Sequence, residues 1–422
     1  MLNKIAGTIG SRLAVNLLSL GILLISAAFI GRVGWGTISL IVLGIAIVLQ
    51  ISNIIGGGAL IFLAPRINTY KLIVPAYIWA IISAISCSLV LDFFHLIPKG
   101  YMLHVMILSL LHCISTSNFN ILLGKGKIKT YNIIILVQFI LLFLALIILI
   151  FPLDKKEVLS YVYSLYIAYG FSFIISIYFI FKELISRDLS ELNKVISQIL
   201  KYGVFTQIAN ITQQLNYRAS YYIVSEIWGP AALGVFAIGV QLSEWVWTIP
   251  KSIALVQYSA ISNTDDAAYS KRITLAFSKF SFICSIALTG ALILLPTSFY
   301  TTFLGDDYTE IKKVILYLAP GIAAFSLAIH YSSYFSGIGK HRVNAAGSSI
   351  GLVATVIAGL LLIPHYSIAG GAATATISYT VISLFFIVMM LRQKGVGVGD
   401  LLPSKSDVHL AQKTLKQYFR KS

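Results

Sequence analysis

The sequence predicts an all-α integral membrane protein, with about twelve transmembrane helices in two parallel six-helix lobes related by an internal repeat. Three observations predict this class. The 422 residues are 58% hydrophobic and only 11% charged, against a charged share of about 25% in soluble domains, and the mean hydropathy is +0.88. The apolar residues fall in continuous runs of roughly 20, the length that crosses a hydrocarbon core, and do not alternate as in a barrel wall. Finally, GKGKIKTYN at 124–132 and GIGKHRVNA at 337–345 occupy the same place in the order of spans, one in each half of the chain.

The first apolar run follows Lys4 and Arg12; its length and its counterpart in the second half favour a retained span over a cleaved leader. Six spans fill residues 1–182. Residues 183–200, ELISRDLSELNKVISQIL, place Ile185, Leu189, Leu192, Ile196 and Ile199 at helical spacing, which reads as an amphipathic cytoplasmic linker on the inner membrane surface. A second six-span lobe covers 201–392, and a basic tail covers 393–422. With the N-terminus in the cytoplasm, Lys71, Lys125, Lys127, Lys129, Lys182, Lys271, Arg272, Lys340, Arg342 and most of the tail lie inside. The opposite side keeps Arg32, Lys99, Lys155, Lys156, Lys312 and Lys313. That bias sets the orientation and puts both termini in the cytoplasm.

The net charge of +16 does not point to nucleic acid, because the basic residues sit in short connections between spans and not on one folded face. GKGK is not a phosphate-binding loop either: a Walker loop needs four residues between its glycines and a hydroxyl after the lysine. Both glycine-lysine segments read as turns on the inner side, each followed by a span that ends in proline, at Pro152 and Pro364. GWGTISLIVLG and GPAALGVFAIG form an earlier pair, aligning Gly34 with Gly229 and Gly44 with Gly239. Cys87, Cys113 and Cys284 are far apart in apolar segments, and no histidine pattern resembles a metal site. No catalytic constellation, metal or cofactor is expected.

The polar residues inside the spans are the candidates for function. In the seventh span Gln207, Asn210, Gln214, Tyr217, Arg218 and Tyr221 recur at three- and four-residue steps, and the eighth adds Gln241, Glu244, Trp245, Thr248 and Lys251. Arg12, Asn16 and Ser19 form a shorter stripe in the first span, and Gln50 and Asn53 interrupt the second. Arginine at a span centre costs about 2.5 to 3.5 kcal/mol on insertion scales and faces a partner or a wet cavity. By helical rise, Arg218 lies about 6 Å outward of its span's centre and Glu244 about 3 Å outward of its own, so the two can pair. The pair is either a structural bond between helices or part of a charged lining in which Arg218 or Lys251 attracts an anion while Glu244 tunes it.

Three passages, IGRVGWGTIS at 30–39, LNYRASYYIVSEIWGPAALGVFAIGVQLSEWVWTIPKSI at 215–253 and GIGKHRVNAAGSSIGLVATVIAGLLLIPHYSIAGGAATATISY at 337–379, carry a resemblance. The chain resembles the Wzx-type polysaccharide flippases of the multidrug/oligosaccharidyl-lipid/polysaccharide exporter superfamily. That resemblance implies transfer of an undecaprenyl-diphosphate-linked oligosaccharide, for O-antigen or similar surface polysaccharide, from the inner to the outer leaflet of a bacterial cytoplasmic membrane. It also implies partners among membrane lipids and the polysaccharide polymerase machinery, and no enzymatic activity. The family commonly has an aspartate two residues after the arginine of LNYR; here Ser220 stands there, so a coupling-ion site built on that carboxylate is missing. A cation-coupled drug or metabolite exporter of the same superfamily, and a membrane glycan polymerase or ligase, are the competing expectations.

Overall fold

The computed structural model describes residues 2–184 and 188–401, with side-chain placement left aside at 2–10, 12, 13, 202, 205, 206 and 209. Among the described residues there are helices and no strands. The helices are α1 (Leu2–Gly56), α2 (Gly58–Leu63), α3 (Thr69–Phe93), α4 (Met102–Gly124), α5 (Ile128–Ile150), α6 (Val158–Phe181), α7 (Leu192–Glu244), α8 (Thr248–Ser262), α9 (Ala267–Leu294), α10 (Thr297–Leu304), α11 (Ile311–Gly337) and α12 (His341–Leu391). Nine helical segments among the described residues are long and apolar enough to cross a membrane, and three of them run to 50, 53 and 51 residues. Each of these three doubles back once, at Gly31, Gly229 and Ser367, so the nine segments supply twelve crossings. The protein is a multi-pass membrane protein.

The doubling back needs little chain. Gly31 has φ 77° and ψ 174°, and Gly229 has φ 79° and ψ 177°, a backbone state closed to side chains with a Cβ. One such residue reverses the helix direction without a loop. This geometry corrects the alignment drawn from the sequence: the partner of Gly229 is Gly31, three residues before Gly34, and the same offset pairs Gly36 with Gly234. Several glycines close together allowed the wrong register.

The glycine-lysine segments are the same element twice. At the end of α4, Gly126 has φ 75°, its N–H donates to Leu123 O at 2.9 Å, and the Lys127 N–H donates to Leu122 O at 2.9 Å. At the end of α11, Gly339 has φ 73°, its N–H donates to Ser336 O at 3.0 Å, and the Lys340 N–H donates to Phe335 O at 2.7 Å. Each is a Schellman termination, in which a left-handed glycine lets two amides reach back to the last free carbonyls. In the first copy Lys125 and Lys127 both contact Glu183, just beyond α6, the former at 3.2 Å. That contact, rather than a phosphate, occupies the two ammonium groups.

By its contacts the chain divides into two compact units, 1–211 and 212–422. In the first unit, α1 packs on α3, α4 and α5. The segment expected as an amphipathic linker is helical from Leu192, as the first turns of α7. There Val195 and Ile199 are buried in a cluster with Leu60, Leu63, Leu72, Ala76, Leu122 and Ile180, and Lys71 forms an ion pair with Asp188 at 2.7 Å. Ile185 and Arg187, and the tail 402–422, lie outside the described residues. In the second unit α11 packs on α8, α9 and α12. A hydrogen-bonded node joins three of these helices: Gln257 donates to Thr274 Oγ1 at 3.0 Å and to His330 O at 2.9 Å, while the His330 ring meets Gln257 Oε1 at 2.5 Å and Ser281 Oγ at 2.7 Å. Both ring nitrogens of this fully buried histidine are satisfied, as a core position requires.

Candidate functional site

Arg218 and Glu244 sit on opposite sides of the Gly229 reversal, about 16 Å and about 22 Å from it along their helices. The mismatch is within reach of two long side chains. They form a two-pronged ion pair, Nη1 to Oε1 and Nη2 to Oε2, each 2.8 Å. This fork matches the planar guanidinium to the carboxylate and is the strong form of such a pair. The side chains keep 21% and 15% of their exposure, so the group is sheltered without being sealed. The Tyr379 hydroxyl donates to Glu244 Oε1 at 3.3 Å, and the Arg218 guanidinium lies 5.0 Å from the centre of the Tyr221 ring.

An aromatic wall surrounds the pair. Tyr217, Trp247, Phe325 and Tyr379 touch one another with ring centres 4.7 to 6.0 Å apart. Trp247 is fixed by its indole N–H, which donates to Ile322 O at 2.9 Å. The polypeptide between Glu244 and Lys251 explains how both face this wall. Pro250 has no N–H to give to the carbonyl four residues back, and the chain tightens into a 3-10 turn over Trp245–Trp247 before α8 begins. Lys251 then stands on the first turn of α8, exposed, with Nζ 5.4 Å from the Trp247 ring centre. No carboxylate pairs with it among the described residues. Counted together, Arg218, Glu244 and Lys251 leave one net positive charge, and it resides on Lys251.

The expected stripe is thus divided. Tyr217, Arg218, Tyr221, Glu244 and Lys251 come together, with Trp245 at 37% exposure on the 3-10 turn and Gln214 and Gln241 half-buried. Gln207 and Asn210 belong to the first unit. Gln207 is buried and donates to the Gln50 side chain, and Asn210 donates to Gln207 Oε1 at 3.2 Å. Asn16 is exposed on α1, and the Arg12 side chain lies outside the described residues.

Sequence reasoning missed a second polar seam on the neighbouring face of α7. The Ser348 hydroxyl donates to Gln213 Oε1 at 2.6 Å, and the Thr355 and Ser378 hydroxyls each lie 2.7 Å from Asn216 Oδ1. These contacts tie α7 to both halves of α12, while Gln213 Nε2 and Asn216 Nδ2 are buried without a protein partner. The run Thr-Gln-Gln-Leu-Asn at 212–216 places amides on more than one helix face, so spacing alone selects no single face. Tyr379, Trp247 and Phe325 had no signal to mark them among the 52 aromatic residues (24 Phe, 23 Tyr and 5 Trp).

No protein-family model matches the chain, and no curated protein sequence matches it. Solved structures do. The lipid II flippase MurJ in an inward closed conformation superposes with a TM-score of 0.71 at 14% identity, covering 99% of this chain and 92% of that one. The inward-facing conformation of a multidrug resistance MATE family transporter of the MOP superfamily gives 0.67 at 14%, covering 96% and 95%. A MOP superfamily transporter from Pyrococcus furiosus gives 0.60 at 14%, covering 92% and 93%. The fold is therefore that of MOP-superfamily transporters: all-α, twelve spans, two lobes.

Proposed function

We propose that the protein is a flippase, not an enzyme, and that it moves an undecaprenyl-diphosphate-linked oligosaccharide from the inner to the outer leaflet of a bacterial cytoplasmic membrane, by alternating access, for surface polysaccharide biosynthesis. The observation that carries this reading is Lys251: a cation inside a span, exposed, without a carboxylate of its own, beside an aromatic wall and an Arg–Glu fork. A diphosphate supplies the missing anion; Trp247, Phe325 and Tyr379 are buried and brace the fork, while the exposed Trp245 ring suits the apolar face of a sugar. Each sugar hydroxyl entering hydrocarbon without a partner costs several kcal/mol, so an unaided glycan does not cross. A substrate with about two negative charges gains roughly 4 to 5 kcal/mol on moving outward across 100 mV, inside negative. The alternative is a cation-coupled drug or metabolite exporter of the same superfamily, and the same Lys251 disfavours it where the cargo is cationic. The basic inner connections support a cytoplasmic-membrane location with both termini inside.

The test is a flipping assay in proteoliposomes with a prenyl-diphosphate-linked oligosaccharide, scored by its accessibility to an impermeant sugar oxidant. Wild type moves the probe. Lys251→Ala and Arg218→Ala insert normally and lose at least about tenfold in rate, the order of one lost charge-assisted contact. Wild-type flux in Lys251→Ala refutes the reading.

A further inference from the structure

Among the acidic residues of the described chain, Glu244 stands apart. Asp92 lies in the last turn of α3 and Glu226 next to the Gly229 reversal, Asp400 follows the last span, and the others lie in connections between spans. Glu244 is thus the one carboxylate placed well inside a span, and both of its oxygens are held by Arg218. The groups that bear on it electrostatically are Arg218, Tyr217 and Tyr221 from α7, Lys251 from α8 and Tyr379 from α12. From α11 the wall presents Phe325, which carries no charge. The tyrosines stay neutral over the physiological range, so the charge state is set by Arg218, Glu244 and Lys251.

That set sums to one positive charge. A diester diphosphate brings two negative charges, so its entry leaves the site with one uncompensated negative charge and sets Glu244 against the phosphates. If Glu244 takes up one proton, the site with its ligand becomes neutral. The Arg218 fork is then free, because a neutral carboxyl no longer holds it, and it fits two phosphate oxygens as it fits two carboxylate oxygens. The protonated Glu244 keeps a hydrogen-bond partner in the Tyr379 hydroxyl, and Tyr221 keeps the guanidinium in place through its ring face.

We propose that Glu244 and the anionic substrate compete for the Arg218 guanidinium, so that binding of a diphosphate is accompanied by uptake of one proton at Glu244. Two Arg218 N–H bonds to carboxylate oxygens break, two to phosphate oxygens form, and the proton comes from solvent. The inference rests on the flippase reading above and adds to it a proton linkage at the site.

The experiment measures binding of farnesyl-diphospho-N-acetylglucosamine, whose two phosphate charges do not change between pH 5.5 and 8, to the full-length protein in nanodiscs. The expected result is an affinity that rises up to about tenfold per unit fall in pH, with close to one proton taken up per probe in weakly buffered solution. Lys251→Arg, which keeps the charge and does not titrate, retains this slope. Glu244→Gln, which mimics the neutral carboxyl, loses the slope and binds at pH 8 as tightly as wild type does at pH 5.5. A flat or inverted wild-type slope, proton release, or a slope abolished by Lys251→Arg overturns the exchange. Should Glu244→Gln fail to fold, the wild-type proton count still decides. Binding that is independent of pH but weakened by Lys251→Gln leaves the flippase reading standing while removing the exchange; no binding to wild type at any pH removes both.

Discussion

Replacing Arg218 by leucine and Glu244 by leucine, singly and together, measures what the ion pair contributes to stability. Removing one partner of a fully buried pair costs about 3 to 5 kcal/mol because the other charge is left without compensation, whereas a fully exposed pair is worth about 0 to 1 kcal/mol. With 21% and 15% of their exposure retained, each single variant should lose about 2 to 4 kcal/mol, and the double variant should recover most of it. The two single variants should also differ with pH. In Arg218→Leu the stranded carboxylate can shed its charge by taking a proton, at a cost near neutrality of at most about 1.4 kcal/mol per pH unit above its ordinary value. The loss therefore shrinks as pH falls from 7 to 5. In Glu244→Leu the stranded guanidinium cannot discharge, and its loss stays constant over that range. Steric-trapping measurements of unfolding in bicelles, repeated at three pH values, give both quantities. Equal, small losses below about 0.5 kcal/mol in both single variants would refute the view that the site shelters an obligate pair.

The remaining predictions concern the frame that holds the site. Gly126→Ala and Gly339→Ala should each cost about 1 to 2 kcal/mol by the same assay, because both residues hold a left-handed backbone at φ 75° and 73°; unequal losses would deny that the two turns are one element. Gly321→Ala should destabilise by about 1 to 3 kcal/mol, since its Cβ would lie 2.6 Å from Thr376 Cα. Gly170→Ala, with nothing within 4 Å, should stabilise by about 0.5 to 1 kcal/mol as a helix-interior replacement. The hydrogen bond from Lys127, with Lys125 beside it, holds the Glu183 carboxyl below the usual carboxylate range. Its contribution is therefore full at neutral pH and is lost as pH falls below about 4 through the lowered value; Glu183→Gln should cost about 1 kcal/mol at pH 7 and remove that acid sensitivity.

What the sequence made legible and what it hid follow from how far each feature reaches. The spans were readable because a run of about 20 apolar residues is a local property tied to bilayer thickness. The Arg218–Glu244 contact was readable too, since helical rise converts position into depth and an intramembrane charge demands a partner. The register of the hairpins was misjudged because Gly31, Gly34 and Gly36 are equivalent as letters, and only backbone dihedrals separate the residue that turns from those that pack. Lys125 and Lys127 looked like free inner-surface cations until Glu183, some 56 residues later in the chain, was seen beside them.

The part that stayed hidden bears most on function. The sequence offers Arg218 and Lys251 alike as the cation that attracts an anion, with nothing to choose between them; in the structure Glu244 cancels Arg218, and the free charge is that of Lys251. The distinction depends on which side chains touch, and that is set by Tyr379 and Phe325 arriving from α12 and α11, far along the chain. Local patterns count charges, while tertiary contacts decide which of them remain uncancelled. For an anion carrier the uncancelled charge draws the substrate in, and the cancelled pair is a reserve that opens only if its carboxylate lets go. On the proposed exchange the two kinds of anion part company: a singly charged lipid is balanced by Lys251 alone and has no need to open the fork, whereas a dianion must displace Glu244. Binding of a phosphate monoanion lipid should accordingly take up no proton, against close to one for the dianionic probe, a difference readable in the same nanodisc assay.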